Sequence, residues 1–395
     1  VLSFDGLRTP VEGVQVAFFE PDGTHAATLE TDGEGVATAE LAPGGAVVAF
    51  VADGPAGVAA RTARAVLGVA PGDQIAIGGD TFGSGDFLFN MTITLPVLTG
   101  AGEYVVFTPC GTFSDGSNVV PLAFNTGCDV DTFAYLAVAT GDAGPSFLRE
   151  DEAPVIPSGN YDSPQTWQMT PVRPFRFNAV PDEVRFVDTG VYAVRAGEQQ
   201  LDVFIGRDSG PAAEDTLTLR PQRIPGYDAT MVQTIVYAEQ PALGNANVVH
   251  WLDADDPSEW DLSQQILPWM GPVSFDSATR SMRWQIVGAG EYDATYLNVI
   301  ASINDGKNFI ETRWVVAAPP GIEEIVLPEL PDELSAFYLP DPENVYAYGQ
   351  IVESDQLEGY GAARQKGFDP SYFPRREPVG SVTRASFSGM GGGGE

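Results

Sequence analysis

Residues Val11 to Val51 constrain the fold of this chain more than any other stretch. Val14, Val16 and Phe18 alternate with Gln15 and Ala17, the two-residue period of a half-buried strand. Pro21-Asp22-Gly23 breaks the pattern with turn chemistry, Asp supplying a local side-chain bond and Gly a positive φ. Thr28 to Thr31 resumes an extended run, and Asp32-Gly33-Glu34-Gly35 interrupts it again. Val36 to Leu41, Pro43-Gly44-Gly45 and the apolar run Ala46 to Val51 follow. Short strands parted by turns at about ten-residue spacing predict a small antiparallel sandwich.

Three pieces of this stretch carry a resemblance: Pro10 to Val16 (PVEGVQV), Thr31-Asp32-Gly33-Glu34-Gly35, and Leu41-Ala42-Pro43-Gly44. Their order resembles the bacterial immunoglobulin-like and prealbumin-like (carboxypeptidase-regulatory-like) modules of exported proteins. The resemblance implies that Thr31 to Gly35 is a tight turn between two core strands and that Pro43-Gly44 opens the next turn. It covers roughly the first 55 residues. Such modules serve as spacers, adhesins and accessory domains alike, so it implies export more than any one activity. The metallocarboxypeptidases that carry such a module need a zinc-binding His/Glu/His set. This chain has two histidines in all, His25 and His250.

At 395 residues, the chain is too long for one ordinary sandwich. Hydrophobic residues at 44% supply real cores, while 44 Gly and 31 Pro suit many short strands joined by turns. The expected class is all-β, with several antiparallel sandwich domains in tandem: 1–79, 80–162, 163–245 and 246–395. No run approaches the ~18 apolar residues of a membrane helix. For an exported protein the signal peptide lies outside a chain that opens at Val1, and an upstream lipid anchor stays open, with no Cys at position 1 to show one.

Twenty Lys and Arg stand against 54 Asp and Glu, a net charge of −34. That field repels phosphate backbones and anionic lipid, which excludes nucleic acid as a partner. The two cysteines, Cys110 and Cys128, bracket a loop-rich segment. In an exported protein such a pair forms one disulfide, worth ~3 kcal/mol for a loop of this length. Two buried thiols are the cytosolic alternative.

Along the chain, a Gly-rich break at Gly78 to Asp86 ends the first module. Strands are expected at Phe87 to Pro96, with Met91, Ile93 and Leu95 on one face, at Glu103 to Pro109 and at Phe133 to Thr140. The acidic, proline-bearing run Phe147 to Ser163 reads as a linker or long loop. Further strands are expected through Ala238 and at Met282 to Val287, Tyr296 to Ser302, Glu311 to Val316 and Val345 to Val352. Pro257 is placed to open a short helix through Leu267, capped by Asp255 or Asp256. The proline-spaced run Pro319 to Pro342 reads as an edge segment or a covering strap, not a central strand, and the glycine-rich tail from Gly389 as mobile.

Gly206-Arg207-Asp208-Ser209-Gly210-Pro211 resembles a serine-protease nucleophile segment, but neither histidine has a matching context, and a strand-ending turn is the simpler reading. Asp253, Asp255, Asp256 and Asp261 form the strongest calcium candidate, since Ca²⁺ takes six to eight oxygens, although their spacing is not that of an EF-hand. Asp129 and Asp131 are a lesser one. Trp251 and Trp260 within the same acidic patch are ligand-binding candidates, because aromatic rings stack on sugars while carboxylates bond hydroxyls; a glycoside hydrolase would also need two facing carboxylates.

Taken together, the sequence predicts a non-catalytic, exported structural or adhesive component of the bacterial cell envelope or matrix. Its expected partners are another protein, a copy of itself, or a glycan. A carbohydrate-active enzyme on β-sandwich scaffolding is the alternative. The alternating segment Val379 to Phe387 is expected to add to a neighbour's sheet edge.

Overall fold

The computed structural model describes residues 2–4, 10–53, 58–78, 87–108, 110–125, 131–141, 146–169, 175–195, 201–211, 216–219, 229–252, 259–304, 309–339, 345–365 and 380–388. The chain is all-β: strands make up most of the described residues, and Gly359–Gln365 is the one α-helix among them.

Twelve strands share one sheet. Its order is Leu201–Pro211, Val184–Arg195, Ala229–Ala238, Asn245–Leu252, Val382–Phe387, Val345–Ser354, Ala294–Asn304, Phe309–Ala318, Val58–Val69, Gly45–Asp53, Gln15–Phe19 and His25–Glu30. Neighbours are antiparallel except Phe309–Ala318 and Val58–Val69, which run parallel over nine register pairs from Phe309↔Val58 to Ala317↔Val66. The sheet therefore binds three chain regions, 15–69, 184–252 and 294–387, by main-chain hydrogen bonds. The boundary expected between 245 and 246 falls inside the strand Asn245–Leu252.

The strands Gln15–Phe19, Gly45–Asp53 and Val58–Val69 are covered on both faces. Ala17, Phe19, Val48, Phe50, Ala63 and Ala65 pack with Trp314, Met270 and Trp284 on one face. Val16, Phe18, Val47, Ala49 and Val66 pack with Ala37, Ile75, Ile77 and Ala363 on the other. This corrects the reading of Gln15–Phe19 as half-buried with Ala17 outward: four of its five residues are buried, the signature of a sheet covered twice. Residues 37–41 are likewise no strand; Ala37, Ala39 and Leu41 lie across the second face as part of its cover.

The expected strap is present. Ile325, Leu327, Leu330, Leu334 and Phe337 press onto the first face, and the Trp314 indole N–H donates to the Phe337 carbonyl at 2.8 Å. Prolines suit this segment because most of it makes no ladder bonds.

Residues 87–169 form a sandwich of their own. A three-stranded sheet, Val119–Asn125, Phe87–Thr94 and Asn160–Asp162, faces a five-stranded one, ordered Gln168–Met169, Ser146–Pro154, Thr132–Gly141, Ala101–Thr108 and Gly111–Asp115. Met91, Ile93 and Leu95 are buried between them, as their alternation predicts. The opposite face of the five-stranded sheet presents Phe107, Leu136, Val138 and Phe147 to Val187, Val232 and Val236 of the twelve-stranded sheet. The reading of Phe147 to Ser163 as a linker is corrected, since Ser146–Pro154 is a strand paired with Thr132–Gly141. Phe147 and Leu148 enter different cores, while Asp151 and Glu152 stay in water. Such a strand is too charged at one end to show an alternating pattern.

Candidate functional site

One cluster of polar groups lies along Val382–Phe387. This strand pairs with Asn245–His250 on one side and with Gln350–Ser354 on the other. It is thus an interior strand of its own chain's sheet, with both ladders paired, where the sequence reading placed Val379 to Phe387 on the outer edge of a neighbour's sheet. The strand alternates between faces. On one face Ser386 and Arg384 lie beside Ala246 and Val248, with Glu353 and Ile351 across from them. The Ser386 hydroxyl accepts the Met270 N–H at 3.1 Å. Arg384 reaches Glu353, and its guanidinium lies 3.4 Å from both Asp355 Oδ1 and Gln265 Oε1. On the other face Thr383 donates to the Ser354 hydroxyl at 3.1 Å.

His250 completes this seam. It is 4% exposed and stacks on Trp260 with ring centroids 4.6 Å apart. Burial, reinforced by the Arg384 guanidinium and opposed by Asp355, pushes its pKa down to about 4, so the ring is neutral at physiological pH. Burial raises Glu353 above the usual carboxylate range, and Arg384 opposes that rise. Asp293, also raised by burial, accepts the N–H groups of Ser354 at 2.9 Å and Gly359 at 3.1 Å, tying the strand end to the start of the helix. From that helix, Arg364 pairs with Asp73 at 2.7 Å and donates to the Gly68 carbonyl, and the Tyr360 hydroxyl donates to the carbonyls of Leu67 and Ala317.

A second polar cluster lies within the 87–169 sandwich. Glu150 accepts the hydroxyls of Tyr161 at 2.5 Å and Tyr135 at 3.0 Å, and the Tyr135 oxygen lies 2.6 Å from Ser163 Oγ. Burial and then the neighbouring carboxylate hold both phenols protonated well beyond their ordinary range. A surface groove of about 450 Å³ runs beside Leu88, Asn90, Thr92, Ser158 and Asn160, none of them charged.

The residues singled out in the sequence are distributed differently. Trp251 is 2% exposed and packs with Val249 and Met231; Trp260 is 8% exposed, between His250 and Phe177. As Trp251 follows His250 in an alternating strand, the two indoles serve opposite faces of the sheet. Neither ring offers a surface on which a sugar could stack, which corrects the ligand-binding expectation. Asp253, Asp255 and Asp256 lie outside the described residues. Asp261 is engaged as a cap: its Oδ1 accepts the Ser263 N–H at 3.1 Å and hydroxyl at 2.6 Å, at the head of the short 3₁₀ turn Leu262–Gln264. The short helix expected from Pro257 through Leu267 is corrected: Glu259–Asp261 is a strand and only Leu262–Gln264 makes a 3₁₀ turn, while the expected caps Asp255 and Asp256 lie outside the described residues. Among the described residues no three His, Cys, Asp or Glu side chains gather as a metal set.

Cys110 is half-buried against the sandwich core and is not a free thiol, while Cys128 and Asp129 lie outside the described residues. Ser209 is exposed within the strand Leu201–Pro211 and pairs with Asp188, so the expected turn there is a continuing strand. His25 lies on the opposite edge strand of the twelve-stranded sheet, far from any role with Ser209. Sequence reading missed Arg384, Glu353, Asp355 and Asp293. Alternation around Arg384 was visible, but its partners are spread over more than a hundred residues of chain.

No protein-family model matches the chain, and no characterised protein matches it. Among solved structures, that of native E. coli alpha-2-macroglobulin aligns at 9% identity over 97% of this chain and 27% of that one, with a TM-score of 0.12. That likeness carries no structural or functional argument.

Proposed function

We propose that the protein is a non-catalytic structural component of the bacterial cell envelope or extracellular matrix, working by contact with other proteins, its own copies among them. One observation carries the reading: the charged clusters the fold assembles hold distant chain segments together. Arg384 with Glu353 ties the seam strand, Asp293 ties a strand end to the helix, and Arg364 with Asp73 ties that helix to the N-terminal strands. This is the chemistry of a rigid body. Burial of Trp251 and Trp260 weighs against the glycan-binding and glycoside-hydrolase alternative. Surplus negative charge of −34 suits a protein bathed in solvent and cations. No helix among the described residues is long and apolar enough to cross a membrane.

Export is tested by protease treatment of intact producing cells, followed by detection of the chain with an antibody. Digestion without lysis is expected; protection until lysis contradicts it. A disulfide between Cys110 and Cys128, read by mass after non-reducing digestion, is the accompanying expectation.

A further inference from the structure

The strand Val382–Phe387 is the seam of the twelve-stranded sheet. On one side stands the four-stranded block formed by 184–195, 201–211, 229–238 and 245–252; on the other stand the strands of 294–354 and 15–69. Within the described residues it is the one strand hydrogen-bonded to both blocks. Removing it leaves two facing ladders, Asn245–His250 and Gln350–Ser354, roughly two strand spacings or ~10 Å apart. Such a slot accepts one extended segment, antiparallel to both walls.

The segment that fills it is unusually polar for an interior strand. Of its residues only Ala385 is a buried hydrophobic; Thr383 and Ser386 are buried and hydroxylated, Arg384 is charged, and Val382 and Phe387 are half-buried. Its hold on the slot is directional: Ser386 to the Met270 N–H, a reciprocal pair between Ser388 and Gly349, the Val382 N–H to Asp355, and Arg384 to Glu353. The strand itself carries few apolar side chains into the slot, while entering it demands a matched sequence in register. Both slot walls precede the strand in chain order.

We propose that Val382–Phe387 is an exchangeable donor strand, and that a second copy of this chain joins the first by placing its own strand in this slot. The proposal rests on the self-associating structural role given above. The swapped and unswapped seams make the same contacts, so chain concentration decides between them.

Asn245 and Phe387 face each other in the register and are both half-buried. One full-length chain carrying Asn245→Cys and another carrying Phe387→Cys are refolded together from urea at high concentration and oxidised, and the peptide linking 245 to 387 is sought by mass. The expected result is an inter-chain 245–387 disulfide that increases with chain concentration. Adding Arg384→Glu to the donating chain, which sets like charges against Glu353 and Asp355, should cut its yield roughly tenfold or more. A single chain bearing both cysteines shows that the substitutions fold and can be joined. If that chain crosslinks while the mixture does not, strand exchange is overturned. Light scattering on the unmodified protein separates the two readings: association without the inter-chain bond overturns only the exchange, whereas a monomer at every concentration overturns self-association as well.

Discussion

Gly349 shows how closely single residues are fitted at the seam. A Cβ there would lie 2.7 Å from Met270 Cε, 2.9 Å from Leu297 Cδ2 and 3.0 Å from the Tyr296 carbonyl. Gly349→Val should therefore destabilise the fold by about 1–3 kcal/mol through overpacking, measured as a lowered urea midpoint at unchanged m-value. His250 makes a prediction of different kind. Its folded pKa of about 4 lies below the ordinary 6.5, so the unfolded chain binds the proton more readily between those values. Its contribution is present above pH 6.5 and is lost as pH falls through 4, on the order of 3 kcal/mol in all. Glu353 and Asp293, raised by burial, act with opposite sign and favour the fold toward acid. Replacing His250 with Leu should flatten the fall in thermal midpoint between pH 6.5 and 4; an unchanged slope contradicts the assignment. Turn chemistry was the most legible part at this scale. Asp22 Oδ1 accepts the Thr24 N–H at 2.9 Å beside Gly23 at φ +83°, as Pro21-Asp22-Gly23 predicts. Those bonds reach only two residues along the chain. Arg384 and Glu353 could not be paired in the same way, because their meeting depends on where strands are laid.

Elements were legible where an unbroken apolar run carried the strand and obscure where charge, glycine or proline interrupted it. Ala294–Asn304 and Phe309–Ala318 stand close to their expected limits and pair along ten positions. Ser146–Pro154 was hidden by its charges, and Gly206 to Pro211 by its glycines and proline, though both lie in ladders. The strap was legible because prolines spaced among Leu and Ile exclude a central strand yet demand burial. Its anchor is Trp314, which meets Phe50 edge-on with centroids 6.5 Å apart and bonds the Phe337 carbonyl. Trp314→Ala should cost about 3–5 kcal/mol and open the strap first, read as early proteolytic cleavage between 319 and 339. Cleavage there at the wild-type rate would show that the strap is held by other contacts.

At the scale of the whole molecule, the all-β class follows from composition and spacing, but the shared sheet does not. Pairing of Val58–Val69 with Phe309–Ala318 joins residues about 250 positions apart, and no local pattern encodes that choice. A net charge of −34 on such a body repels itself. Raising ionic strength from about 0.01 to 0.15 M shortens the screening length from about 30 to 8 Å and should raise the thermal midpoint. A falling midpoint would mean that the ion pairs outweigh the repulsion. The central claim is that Val382–Phe387 joins the two halves of the sheet from within. Amide hydrogen exchange followed by mass spectrometry at neutral pH tests it most directly. Peptides covering 382–387 should exchange as slowly as those covering 245–252 and 345–354. Exchange of 382–387 at the rate of an open loop, with its two neighbours still protected, would contradict it.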